Sequence, residues 1–188
     1  MPVLIVDNYD SYTGNLFQQV WAATSEEPEL VENDEVDLDA VAGGRYSHIV
    51  LSPGPGSPHI PDDVGSGFEV LRRATVPVLG VCFGFQLMAV ALGGTVIHAP
   101  RPAHGRVEKV EHGPSVLFDG VPEVFDATRY HSLVIAEPAP LPVTAWADGL
   151  IMAGEHLSRG WYGVQFHPES IGTPHGGRMI ENFLAVGS

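Results

Sequence analysis

A single cysteine, Cys82, stands in Gly80-Val-Cys-Phe-Gly84, between an apolar run and a helix-compatible segment. The pattern is that of a nucleophile elbow carrying sulfur where hydrolases often carry a hydroxyl. Its glycines let a strand turn sharply into a helix, with small neighbours so that the backbones approach closely. The turn sets the thiol at a helix N-terminus, where the helix dipole favours the thiolate. The backbone N–H of Phe83 is then a natural donor to an oxyanion. A small buried core cysteine is the other reading of these five residues.

A base is offered by Gly163-Val-Gln-Phe-His167-Pro-Glu169-Ser170. A strand over 161–166 would deliver His167, and residues two apart on extended chain point the same way, so Glu169 shares its face. Glu169 can then orient the imidazole while His167 takes the thiol proton, a nucleophile–base–orienter set. A strand-end turn with a surface histidine is the alternative. The nine histidines show no metal-ligand spacing and a lone Cys offers them no partner, so no metal site is expected.

The third feature is Ser52-Pro-Gly54-Pro-Gly56-Ser-Pro58, after a second apolar run. Loops at the carboxyl ends of parallel strands are where α/β folds bind ligands. Gly54 can aim an N–H at an oxyanion with no side chain in the way. A rigid turn is the alternative, and neither glycine-rich phosphate-binding pattern occurs. Three such features at three strand ends are far more specific together than singly.

The elements that must position these groups follow an alternating rhythm. Residues 3–6, 48–51 and 77–81 read as buried parallel strands, apolar on both faces. Residues 13–21, 64–74 and 83–92 read as helices, the last stopped by Gly93-Gly94. Such alternation predicts a parallel sheet with helices on its faces. Short strands at 107–111, 132–136, 143–146, 150–154 and 161–166 predict antiparallel additions, and a helix over 177–185 closes the chain. The acidic run Glu26–Asp39, eight acids in fourteen positions, reads as a solvated surface segment.

The 188 residues carry 23 acidic against 9 basic side chains, a net charge of −14, which argues against nucleic acid or anionic membrane as a partner. One cysteine excludes an internal disulfide, and no apolar run is long enough to span a bilayer. The opening residues lack the basic region of a signal peptide. These features predict a cytoplasmic, soluble protein of one domain over residues 1–188.

With those motifs in hand, the sequence resembles class I (triad) glutamine amidotransferases. Within them it is most similar to the small glutaminase subunits of chorismate-using synthases, of the anthranilate or aminodeoxychorismate type. The resemblance runs nearly end to end: Asp7-Asn-Tyr-Asp-Ser-Tyr-Thr13, Asn33-Asp-Glu35, Leu51–Pro58, Gly80–Gln86, His104-Gly105, Tyr130-His-Ser-Leu133 and Gly163–Ser170. It implies an α/β, flavodoxin-like fold with a central, mixed, mostly parallel sheet, and the triad Cys82, His167 and Glu169. It implies an oxyanion hole from the N–H groups of Gly54 and Phe83. Glutamine would be bound by Gly54, Pro55, Gly56, Gln86 and the backbone of Ser132 and Leu133. It implies hydrolysis of L-glutamine to glutamate and ammonia through a thioester, without cofactor, in a hetero-oligomer whose chorismate-using synthase subunit takes the ammonia. Phe83 and Phe85 stand where Leu and His are more usual, and Arg106 where Lys is. A subunit of a related secondary-metabolite aminating synthase and a catalytically idle scaffold are the rival readings.

Overall fold

The computed structural model describes residues 1–187. Its elements run β1 (Leu4–Asp7), α1 (Thr13–Thr24), β2 (Glu29–Glu32), α2 (Leu38–Ala42), β3 (Ile49–Leu51), α3 (Pro61–Val64), α4 (Gly67–Arg73), β4 (Val78–Val81) and α5 (Phe83–Ala91). The rest are β5 (Val96–His112), β6 (Val124–Ile135), β7 (Val143–Ala147), β8 (Leu150–His156), β9 (Trp161–Val164) and α6 (Gly176–Leu184). One mixed sheet takes all nine strands in the order β2-β1-β3-β4-β9-β8-β7-β5-β6.

The first five in that order pair parallel and the rest antiparallel. β1, β3 and β4 are short runs of β-branched and aliphatic residues and are almost wholly buried, as strands covered on both faces must be. On one face Leu16 and Val20 of α1 and Met179, Ile180 and Phe183 of α6 join a core with Ile5, Val50 and Leu79. On the other, Val41, Val70, Leu71, Leu87 and Met88 pack against Leu4, Ile49 and Val78. Helix–sheet–helix layering therefore surrounds the parallel strands, and their carboxyl ends open at one edge.

Two elements depart from the sequence reading. The acidic run contains the edge strand β2, whose residues alternate between half-buried and exposed beside β1. It is solvated yet regular, because an edge strand buries only part of its surface. Of the short strands expected in the second half, 107–111 and 132–136 are pieces of a long β5–β6 ladder, in which two register shifts absorb Pro100, Pro102 and Gly105. Those at 143–146, 150–154 and 161–166 form β7, β8 and β9, the last pairing parallel with β4 as well as antiparallel with β8.

Candidate active site

The elbow forms where β4 turns into α5. Cys82 caps that helix with φ 51° and ψ −100°, a backbone conformation strained for any residue with a side chain. Close packing holds the strain in place. A Cβ on Gly80 would sit 2.6 Å from the backbone of Gly84, and one on Gly84 2.3 Å from the Leu51 carbonyl oxygen. Cys82 also donates its N–H to the Val164 carbonyl at 2.7 Å, tying the elbow to β9.

β9 ends at Val164, two residues earlier than the sequence reading placed it. Beyond it the His167 N–H is held at 2.9 Å by the Thr128 carbonyl on β6, and Thr173 donates its hydroxyl to the His167 carbonyl at 2.7 Å. Pro168 carries the chain round so that His167 Nδ1 donates to Glu169 Oε1 at 2.5 Å. Both side chains are buried. Tyr12 and Tyr130 set ring edges toward the imidazole, with centroids 5.5 and 6.4 Å away.

His167 Nε2 is buried and makes no hydrogen bond among the described residues. Burial alone would lower the imidazole pKa, but the neighbouring Cys82 sulfur and the hydrogen-bonded, charged Glu169 carboxylate outweigh it and raise the pKa. The imidazole is thereby favoured as a cation beside the sulfur and the Glu169 carboxylate.

The glycine loop is braced from β1. Asn8 donates its backbone N–H to the Ser52 hydroxyl oxygen (2.8 Å) and its side-chain amide to the Ser52 carbonyl (2.8 Å), and its Oδ1 accepts in turn from Asn33 Nδ2 at 3.2 Å. A Cβ on Gly54 would meet Asn8 Cβ at 2.8 Å and Phe83 Cδ1 at 3.2 Å, so only glycine fits this approach to the elbow. Neither Gly54 nor Phe83 spends its N–H on a protein acceptor among the described residues. Asp7 accepts the Asp10 N–H and the Thr13 hydroxyl, which fixes the turn into α1.

A cleft of about 270 Å³ opens over the sulfur, lined by Asp10, Gly54, Pro55, Gly56, Cys82, Gln86, His104, Tyr130, His131, Ser132 and Leu133. Every residue expected to bind substrate lines it. Gln86, however, is not a solvent-facing helix residue. It is 3% exposed and donates its amide to the Leu133 carbonyl at 3.0 Å and to Gln165 Oε1 at 3.1 Å. Its Oε1 is the atom left to face a ligand. The Leu133 carbonyl is likewise committed, since it also receives His131 Nδ1 at 3.1 Å.

His131 and Gln165 were missed in the sequence reading. Burial, reinforced by the neighbouring Arg129 guanidinium, lowers the His131 pKa to about 4, so the ring is neutral and accepts from Arg129 Nε at 3.2 Å. Arg129 is itself buried and paired with Glu108. Gln165, fully buried, donates to Cys82 Sγ at 3.4 Å. A polar residue in the apolar run 161–166 was the one signal that could have exposed it.

Residues 4–186 match the family model described as glutamine amidotransferase class-I. The chain is 47% identical to anthranilate synthase component 2 of Methanothermobacter marburgensis, covering 98% of each. It is 46% identical to aminodeoxychorismate synthase of Streptomyces griseus, covering 97% of this chain but 26% of that protein. The chain thus spans about a quarter of the length of the aminodeoxychorismate synthases it matches. A glutamine amidotransferase structure from Thermotoga maritima superposes with a TM-score of 0.77 at 16% identity, over 90% of this chain and 76% of that one, a likeness of fold alone.

Proposed function

The chain belongs to the class-I glutamine amidotransferase family, and from that membership we propose that it is the glutaminase component of a chorismate-using aminating synthase. The observation that carries the reading is the buried Cys82–His167–Glu169 arrangement, with the imidazole cation favoured between sulfur and carboxylate. The identities of the relatives as anthranilate synthase component 2 and aminodeoxychorismate synthase support the choice of acceptor reaction.

Glutamine enters the cleft with its side-chain amide carbon over the sulfur. Gln86 Oε1 suits the α-ammonium, and N–H groups at the rim near Ser132 suit the carboxylate. The thiolate attacks the amide carbon, forming a C–S bond while the carbonyl π electrons move onto oxygen. That oxyanion is held by the N–H groups of Phe83 and Gly54. The His167 imidazolium gives its Nε2 proton to the departing nitrogen, the C–N bond breaks, and a glutamyl thioester remains with ammonia. Nε2 next deprotonates a water, which attacks the thioester and expels thiolate and glutamate. Glu169 holds the ring in the Nδ1–H tautomer throughout.

Ammonia released to water at neutral pH is protonated and lost as a nucleophile. Its use therefore calls for a docked synthase subunit that receives it by a sheltered path, in the cytoplasm where chorismate-derived aminations proceed. The test measures glutamate and ammonia released from glutamine, alone and with the synthase subunit that co-purifies. Equal yields that vanish in Cys82→Ser, with ammonia-dependent amination retained, are expected. Loss of both activities in that variant would contradict a two-site scheme.

A further inference from the structure

Gln165 is polar, fully buried and next to the reacting sulfur. An uncharged amide withdrawn from water is unfavourable unless its hydrogen bonds are made, so where they go is informative. Their direction is fixed by a chain of donors and acceptors. The Leu133 carbonyl can only accept, so it orients Gln86 with its amide nitrogen inward. That nitrogen's second hydrogen goes to Gln165, which must then present its oxygen at 3.1 Å. The Gln165 NH2 is consequently turned toward Cys82 Sγ at 3.4 Å. Its backbone is pinned as well, the N–H donating to the Met152 carbonyl at 2.8 Å.

An N–H donor discriminates between the two forms of the sulfur. Hydrogen bonds to an ionised acceptor are roughly twice as strong as those to a neutral one. A donor held at this position by rigid partners therefore favours thiolate over thiol before substrate arrives. We propose that Gln165 belongs to the catalytic machinery, its side-chain amide stabilising the Cys82 thiolate and joining the nucleophile to the substrate-facing Gln86. The proposal rests on the reading of Cys82 as nucleophile and adds a residue to it. Because Gln86 touches both the cleft and Gln165, the orientation of the substrate contact and that of the sulfur's donor are set by one amide pair.

The experiment follows alkylation of Cys82 by iodoacetamide against pH in the wild-type chain, in Gln165→Met and in Gln165→Asn. Methionine keeps the volume and removes the donor, whereas asparagine keeps an amide but withdraws it from the sulfur. In Gln165→Met the midpoint of the profile is expected to move up by about one pH unit, with alkylation at neutral pH slowed about tenfold. Gln165→Asn should shift the same way by less. Glutaminase kcat should fall while KM stays within about twofold, the mark of a group acting on the chemical step. A Gln165→Met protein that melts like wild type and keeps the wild-type alkylation profile overturns the proposal. Should that variant not fold, an unshifted profile in Gln165→Asn overturns it equally. A wild-type chain that hydrolyses no glutamine, yet shows the shift on substitution, would sink the glutaminase reading and leave the role of Gln165 on the sulfur standing.

Discussion

The ring of Phe85 lies so close over Gly163 that a Cβ there would meet Phe85 Cδ2 at 1.9 Å. This contact, with the Cys82 N–H to Val164 bond, seats α5, which carries the nucleophile at its start, on β9, which leads into the histidine. The triad's two arms come from segments some eighty residues apart, and their relative position depends on a glycine that lets a phenylalanine in.

Gly163→Ala should therefore damage both stability and activity. Overpacking of a buried contact costs about 2–3 kcal/mol, which in a chain of this size lowers the melting temperature by roughly 5–10 °C. Thermal melts followed by glutaminase assays check this; an unchanged melt would show that α5 shifts freely and that the contact does not position the site.

Gly54→Ala should leave the chain folded but slow it. The added methyl must displace Asn8 or Phe83, and removal of one oxyanion donor typically costs about a hundredfold or more in kcat. Steady-state kinetics with glutamine should show the loss in kcat. A rise in KM alone would assign Gly54 to binding.

Glu169→Gln should move the pH–rate profile as well as lower it. Interactions with Cys82 and Glu169 raise the His167 pKa above its ordinary 6.5. The active imidazolium thus persists at neutral pH and is lost only as pH rises through the elevated value. Removing the carboxylate charge lowers that pKa, so the alkaline limb of kcat/KM should shift to lower pH, with kcat down about 100-fold. His167→Ala should lose more. A profile with an unmoved alkaline limb would remove the Glu169 charge from the account.

His131 predicts an acid-side stability effect of opposite sign. Its folded pKa, about 4, lies below the unfolded value of 6.5, so the unfolded chain binds the proton more readily between those limits. Stability from this group is full above pH 6.5 and falls as pH drops toward 4, by about 3 kcal/mol. Replacing it by Asn should flatten the melting temperature's dependence on pH across that window, whatever happens to its absolute value. An equally steep dependence would place the acid sensitivity elsewhere.

The parallel half and the site were legible because their signals are local. Val3–Val6, His48–Leu51 and Pro77–Val81 are apolar on both faces and end in turn residues, so three strand ends and the groups following them could be placed together. The β5–β6 ladder was not legible as one unit. Pro100, Pro102 and Gly105 punctuate it, and only the partner strand's bulged register shows that pairing continues across them. Gln86 was named as a substrate contact from its motif, but its depth was not legible, since nothing local says that α5 is buried nearly all round. Gln165 and His131 escaped for a related reason. Gln165 meets Cys82 only through the sheet, and His131, though two residues from Arg129 on one strand, owes its neutral state to burial that local spacing does not reveal.

Covalent capture of the substrate on sulfur is the step from which the rest follows. Acid-quenching the chain during turnover of glutamine and mapping its peptides by mass spectrometry tests it most directly. The peptide bearing Cys82 should carry a glutamyl group in the wild-type chain and none in Cys82→Ala, which should release no glutamate. Glutamate released at the wild-type rate by Cys82→Ala, or steady turnover with that peptide never modified, would contradict the mechanism.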